Sequence, residues 1–474
     1  MSSANTGANT GANTSANTSA NSGVTTARFW TLARIARALG IVGTYDARPI
    51  TGISTDTRTL RVGECFVALK GEHFDGHDHL EAALSAGAAV MVVQDITRAP
   101  LKGVPVLEVS DTLVGLGALG RFRRDAWARP VIAVGGSNGK TSTKELLKAA
   151  LGSRYAVHAT IGNLNNRIGV PMTLLALDDA ADVAVIEAGT NEPGEMALLR
   201  EIIRPDVVVV TTVQEEHLEG FGDLLGVLAE ELALCDDAPI AVVPDDEGDV
   251  VALAQAKAWR TVTAGLGAGV RRASAHGLHA DGRGWLDWEG TRVEVPLPGA
   301  HNLRNAALAL AVASEFGVHP ADAAAGIARM PQPPVRSAVE VLGKALLVND
   351  CYNSNPGSAR AAIALLRAVA QGRQRVAVLG TMRELGDASE RAHHEVAEAA
   401  LASGAEVVAG IGEFGPALQR LAPHDGRVLI ANDVDDLWPQ LVARMAPDAA
   451  ILLKASRGVR LERLVPLLTT WATT

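Results

Sequence analysis

The sequence predicts an α/β protein of three domains built mainly on parallel sheets, and three observations predict it. Apolar β-branched runs such as Val131, Ile132 and Val134 alternate with stretches of helical periodicity along most of the chain, the signature of strands buried under crossover helices. Two proline-marked breaks, Arg129-Pro130 and Pro331-Gln-Pro-Pro334, interrupt that alternation, and prolines stop regular structure and stiffen linkers. The length, 474 residues, suits about three domains. The expected units are 26–128, 129–332 and 333–474, after a tail over residues 1–25.

The elements follow in order. Residues 4–23 repeat Ala-Asn-Thr-Gly or a close variant; they have almost nothing to bury and are expected to be disordered. In the first unit the periodicity predicts a helix over 29–39, a strand over 66–69, a helix over 79–86, a strand over 89–93 and a helix over 115–128. Ser54, Asp56, Arg58, Asp75 and His77 fall in its loops, where they read either as binding residues or as caps and solvated surface. The second unit has strands near 131–134, 183–186, 206–210 and 240–243, a polar added β region over 261–295, and an Ala-rich helix over 306–316. The last unit has strands ending at Asn349-Asp350, Gly380 and Lys454, each followed by polar sequence. In a parallel sheet such loops gather on one edge, placed here to face the second unit across a cleft.

Composition narrows the function. Hydrophobic residues make up 48% but aromatics only 4%, so the cores are aliphatic. The net charge is −10 and there is no long basic stripe, which argues against nucleic acid as partner. Cys65, Cys235 and Cys351 are few and widely spaced, fitting a reducing compartment and no zinc site. No apolar run approaches the ~18 residues of a membrane span, and no secretory signal pattern opens the chain. A cytoplasmic enzyme is the expectation.

The chemistry concentrates around Gly135-Gly136-Ser137-Asn138-Gly139-Lys140-Thr141-Ser142. A buried strand, a glycine turn and the start of a helix make a phosphate cradle: orphan N–H groups and the helix dipole favour an anion, and glycines allow close approach. Lys140 would neutralise β/γ-phosphate charge and Thr141 would ligate Mg²⁺. The turn is one residue shorter than the general pattern, because Val134 stands where its first glycine would fall. Glu187 directly follows an apolar strand, where it could hold Mg²⁺ or be a solvated carboxylate. His217, beyond Thr211 and Thr212, reads as a metal or substrate residue or as an ordinary histidine. Asn163, Asn165 and Asn166 could meet a polar substrate or form turns. His301, Asn302 and Asn305 lead into the Ala-rich helix, where a single Asn would be a cap.

Together these motifs resemble the Mur ligases, the ATP-dependent amide-forming family of peptidoglycan precursor synthesis. The resemblance runs from about residue 50 to 462. Within the family, Gly162-Asn-Leu-Asn-Asn-Arg-Ile-Gly-Val-Pro171, His217-Leu-Glu-Gly-Phe-Gly222, Gly299-Ala-His-Asn-Leu-Arg-Asn305, Asp350-Cys-Tyr-Asn-Ser-Asn-Pro356 and Leu379-Gly-Thr-Met-Arg-Glu-Leu-Gly386 resemble the member that adds D-alanyl-D-alanine to UDP-N-acetylmuramoyl-tripeptide. The resemblance implies a UDP-binding first domain, with Ser54, Asp56 and Arg58 among its contacts, a central ATP and Mg²⁺ domain, and a Rossmann-like C-terminal domain, in a monomer. It implies Mg²⁺ on Thr141 and Glu187, a second Mg²⁺ at His217, adenine at Asn305 and ribose at Asp350.

Three positions depart from the family pattern. Glu231 stands where a lysine, often carbamylated, serves as an anionic metal partner, so Glu231 or neighbouring Glu230 is expected to supply the carboxylate. Val335 replaces the glycine before Arg336, the counterpart of a nucleotide-binding arginine. Thr381 replaces an Asp. Two other readings compete: a ligase of the same superfamily with another substrate, such as a folylpolyglutamate-synthase-like enzyme, and a nucleotide-binding scaffold with weakened catalysis.

Overall fold

A computed structural model describes residues 29–99, 103–331 and 338–473. The repeat tail and the departure at Val335-Arg336 lie outside those residues.

The first sheet is parallel, with strands β1 (Ile53–Ser54), β2 (Cys65–Val67), β3 (Val90–Val93) and β4 (Val106–Glu108) side by side in chain order. The helix Thr112–Trp127 packs Leu116 and Leu119 into a core with Trp30, Ile35, Val67 and Val90. It starts where Asp111 accepts the N–H groups of Leu113 and Val114, at 2.7 and 3.1 Å, satisfying donors the helix cannot. Four expectations are corrected here: this helix, expected over 115–128, starts earlier, at Thr112 after its Asp111 cap, and the strand expected over 66–69 is Cys65–Val67. The helix expected over 29–39 is only Leu32–Ala38, because the Thr31 hydroxyl caps it by accepting from Arg34 N–H. The helix expected over 79–86 is Leu80–Ser85, preceded by a 3₁₀ turn, Gly76–His79, that Asp75 caps.

The second sheet holds β5 (Val131–Gly135), β6 (Val157–Ala159), β7 (Val183–Glu187), β8 (Val207–Val210), β9 (Ile240–Pro244), β10 (Thr261–Gly265) and β11 (Arg271–Arg272). All run parallel in the order β11-β10-β9-β8-β5-β7-β6. β5, β7 and β8 are buried throughout, which is why they read as unbroken apolar runs rather than alternating ones. The register pairs Val134 with Glu187 and Gly135 with Val210, so the loops leaving these three strands share one edge. One face of the sheet is covered by the helices Lys140–Leu151 and Ala300–Glu315, with Leu146, Leu147, Leu303 and Leu310 in a single core.

The added β region is divided. Its beginning, β10 and β11, extends the parallel sheet; the rest forms an antiparallel meander of β12 (Ala275–Leu278), β13 (Arg283–Trp288) and β14 (Thr291–Pro298). In β14, Val293, Val295 and Leu297 point inward while Arg292 and Glu294 face solvent, the period of two of a half-buried strand. The next helix starts at Ala300 rather than 306. Gly299, at φ +98°, makes the turn into it, so His301, Asn302 and Asn305 lie inside the helix rather than ahead of it.

The last sheet has β15 (Ala338–Leu342), β16 (Ala345–Asp350), β17 (Arg375–Gly380), β18 (Val407–Ile411), β19 (Val428–Ala431) and β20 (Ala450–Lys454), in the order β15-β16-β20-β17-β18-β19. Only β15 is antiparallel to its neighbour. Because β20 inserts between β16 and β17, the loops after Asp350, Lys454 and Gly380 sit next to one another, as the strand-end rule requires.

Candidate active site

The glycine loop closes between the ends of β5 and β8. Gly136 has φ +111°, and a Cβ there would collide with the Thr211 hydroxyl and the backbone of residues 211 and 212. Ser137 N–H donates to Thr212 O at 2.7 Å, and the Thr211 hydroxyl donates to Asn138 O at 2.6 Å. Gly139, at φ +88°, starts the helix Lys140–Leu151, and a Cβ there would stand 2.8 Å from Asn305 Oδ1. The loop is thereby held on one side by β8 and on the other by Asn305. Lys140 Nζ folds back over it, donating to Gly136 O at 2.5 Å and Ser137 O at 3.3 Å, with Glu216 Oε1 3.9 Å away. Ser142, one residue into the helix from Thr141, is buried.

Glu187 is the last residue of β7 rather than the first after it, and it is buried. Its Oε1 accepts from the Thr141 hydroxyl at 3.1 Å and Asn165 Nδ2 at 2.9 Å. Its Oε2 has no hydrogen-bond partner; the nearest cation is Lys144 Nζ, 3.6 Å away. A buried carboxylate oxygen without a donor is costly, and here it lies beside the hydroxyl that opens the helix.

Glu231 lies beneath the loop, fully buried, with Oε2 accepting Gly136 N–H at 2.7 Å. Burial raises its pKa to about 7, against the pull of Lys140. Glu230 points elsewhere, accepting N–H groups of Gly194 and Met196 at 2.8 and 2.7 Å. His217 has φ +48° and its Nδ1 is paired with Glu384 of the C-terminal sheet's edge. Burial opposes the charged ring, but Glu384 and Glu216 outweigh it and raise the pKa.

The match to known proteins follows this architecture. The family model described as the Mur ligase middle domain matches residues 134–313, the Mur ligase glutamate ligase domain matches 338–457, and the Mur ligase catalytic domain matches 49–121. The chain is 34% identical over 432 residues to the UDP-N-acetylmuramoyl-tripeptide--D-alanyl-D-alanine ligase of Bacillus subtilis, covering 89% of this chain and 93% of that protein. The chain belongs to the Mur ligase family. A crystal structure of MurF from Acinetobacter baumannii superposes with a TM-score of 0.85 at 29% identity, over 93% of this chain and 99% of that one. MurF ligase from Thermotoga maritima, solved in complex with ADP, gives 0.78 at 26% identity, over 89% and 98%.

In this Mur ligase, the residues at the glycine loop that fit a magnesium ion are Thr141 and Glu187. Among the described residues no group of three or more His, Cys, Asp or Glu side chains could hold a metal alone. Mg²⁺ needs no such cage, since it usually keeps several waters and binds through one or two carboxylates plus substrate phosphates. Glu187 Oε2, beside Thr141 with no hydrogen bond and Lys144 3.6 Å away, suits that mode.

The other sequence-predicted residues divide. Asn165 reaches Glu187, whereas Asn166 holds the turn ahead of the helix Gly169–Leu175, its Oδ1 accepting N–H groups of Ile168 and Gly169 at 3.2 and 2.9 Å. Asn163 accepts Asn165 N–H through its carbonyl, within the same turn. Asp56 and Arg58 bind each other at 2.6 Å, and Ser54 Oγ accepts Asp56 N–H; this loop lies on the first sheet, away from the glycine loop in the chain. Asp350 is neutralised by Lys454, 2.7 Å away. Thr381 accepts Glu413 N–H at 3.1 Å, a loop-holding contact.

Sequence reasoning missed five residues. Lys144 lies one turn beyond Thr141 on the same helix face, a spacing of three that would have shown it. Glu216 precedes His217. Gln214 gave no local signal, while Asn355 and Glu384 sit inside the 350–356 and 379–386 motifs but were not singled out, because their partners lie far along the chain: Asn355 exchanges two amide hydrogen bonds with Asn138, at 3.0 and 3.1 Å, and Gln214 Oε1 accepts from Asn138 at 2.8 Å.

Proposed function

We propose that this chain consumes ATP to join D-alanyl-D-alanine to UDP-N-acetylmuramoyl-tripeptide, the two substrates named for the Bacillus subtilis relative, as a MurF solved with ADP supports. The carrying observation is the glycine loop with Glu187 Oε2 free of any hydrogen bond beside Thr141, in a chain that superposes on a MurF structure over 93% of its length.

In such a ligation the tripeptide carboxylate takes the γ-phosphoryl group and the amine of D-alanyl-D-alanine then displaces phosphate. Two anions must meet, so charge neutralisation and alignment carry the rate. The loop amides and Lys140 receive the triphosphate. Thr141 and Glu187 would hold one Mg²⁺ and His217 a second, with Glu231 as the nearby carboxylate; bound Mg²⁺ supplies charge neutralisation between the reactants. Glu231 reaches the loop through Gly136 N–H, which supports its replacing the family lysine without carbamylation. Asn305, against Gly139, serves the adenine side and Asp350 the ribose. Ser54, Asp56 and Arg58 hold the UDP end, and the 163–166 turn meets the peptide through Asn165.

The helix Thr112–Trp127 ends just before β5 begins at Val131, which supports a first boundary near 128; the second is placed near 332. Among the described residues no helix is long and apolar enough to cross a membrane, which accords with a cytoplasmic setting. The protein acts as a monomer.

The test measures phosphate release from ATP with UDP-N-acetylmuramoyl-tripeptide, with and without D-alanyl-D-alanine, and weighs the product by mass spectrometry. Release that requires both substrates and yields the pentapeptide is expected. Release with folate and glutamate alone, or tight ATP binding with no turnover on any pair, would overturn the reading.

A further inference from the structure

The C-terminal edge reaches the central site at His217. Glu384 occupies the polar loop after β17, more than half exposed at 59% of its side chain, while His217 is largely covered at 18%. Their contact is built rather than casual. Both are non-glycine residues in the left-handed region, φ +48° for His217 and +64° for Glu384, a conformation disfavoured for side-chain-bearing residues and kept where the surroundings demand it. Backbone approaches backbone beside them: Glu219 N–H donates to Glu384 O at 3.3 Å, and a Cβ on Gly386 would stand 3.2 Å from Glu219 Cα. Arg391 and Glu215 add a second bridge at 2.7 Å.

An imidazole that binds a cation through one nitrogen is commonly oriented by a carboxylate on the other, which sets the tautomer and the ring plane. Here the carboxylate is on Nδ1, so Nε2 is the nitrogen left for a cation.

We propose that Glu384 is a positioning residue for His217: by accepting the Nδ1 proton from across the domain cleft it presents Nε2 to the reacting phosphate side, so the cation site is complete only when the C-terminal domain is docked. This rests on the role given to His217 under the proposed function. It makes closure and cation binding one event, because the orienting carboxylate and the histidine belong to different sheets.

The experiment uses the full chain, with Mn²⁺ as the probe, bound in the presence of a non-hydrolysable ATP analogue and followed by electron paramagnetic resonance. Glu384→Ala is expected to weaken Mn²⁺ binding about tenfold or more, and Glu384→Gln, whose amide oxygen still accepts the Nδ1 proton, to weaken it less. Arg391→Ala breaks the neighbouring bridge but leaves the Glu384–His217 contact, and should weaken Mn²⁺ binding less than Glu384→Ala does. In ¹⁵N-histidine spectra, the His217 signal, assigned by its loss in His217→Ala, should leave the Nδ1-protonated position in Glu384→Ala. An unmoved His217 signal with unchanged Mn²⁺ affinity in Glu384→Ala, or an equal loss in Arg391→Ala, overturns the proposal. His217→Ala separates the two ideas. If it binds Mn²⁺ as tightly as the unsubstituted chain, the functional role of His217 fails; if it binds weakly while Glu384→Ala does not, only Glu384's role falls.

Discussion

Glu187 and Asp350 hold the same topological post, the last residue of an inner parallel strand, in two different sheets. Asp350 has its cation supplied by the chain: Lys454, its register partner on β20, places Nζ 2.7 Å away. Glu187 has the Thr141 hydroxyl and the Asn165 amide on one oxygen and no hydrogen bond on the other. One carboxylate is closed off by a hydrogen-bonded lysine; the other, whose Lys144 stands 3.6 Å off its second oxygen without a hydrogen bond, keeps capacity for a ligand from outside. The central edge is therefore built for chemistry, whereas the C-terminal edge is internally balanced and sends side chains outward, Asn355 to Asn138 and Glu384 to His217.

The largest test of that contrast removes the built-in cation. Lys454→Met leaves Asp350 without its main partner and should cost about 3–5 kcal/mol of stability by urea denaturation. If stability is unchanged, Asp350 is not compensated in the way described. On the central edge the loss should fall on turnover rather than on folding: Lys140→Ala is expected to lower kcat by about 10²–10³-fold with the urea midpoint nearly unmoved. Glu231→Ala should also lose turnover, and bicarbonate should fail to restore it; strong rescue, or full activity, would show that the loop does not use this carboxylate. Asn355→Ala removes the reciprocal amide pair, worth about 1 kcal/mol, and should raise the KM for ATP about fivefold with kcat held. A change in kcat alone would mean that Asn355 acts in the chemistry and not in docking.

The smallest expected effect is on acid stability. Burial lowers the pKa of His158 and of His393 below 6.5. His393 Nε2 accepts Met382 N–H at 2.9 Å and its Nδ1 meets Ser389 O at 2.7 Å, an arrangement that needs the neutral ring. The unfolded chain binds these protons more readily, so their contribution is intact above pH 6.5 and is lost as pH falls through 6.5 toward the lower folded values. Urea midpoints at pH 7.5 and 5.5 should differ in that direction, and His393→Gln should reduce the difference.

Much of the site was legible because its parts are consecutive. Strand, glycines, Lys140 and Thr141 lie within one short stretch, and Glu187 announces itself by ending an apolar run. The loops after Asp350, Gly380 and Lys454 were placed together correctly by the strand-end rule alone. Asn355 could not be read this way: its partner Asn138 is 217 residues distant. The helix start at Ala300 was missed because Gly299 makes the turn through its backbone, with no capping side chain to reveal it.

Local pattern alone marked the most apolar inner strands, the glycine turn at 135–139 and the place where a phosphate would be cradled, since burial periodicity, positive φ and unpaired helix-start amides are properties of a few neighbouring residues. Which partner each polar group takes was decided only by the tertiary structure. Strand order departs from chain order, with β20 inserted between β16 and β17, and that insertion gives Asp350 its lysine. The packing of two sheets edge to edge gives His217 its glutamate, and no spacing along the chain encodes either contact.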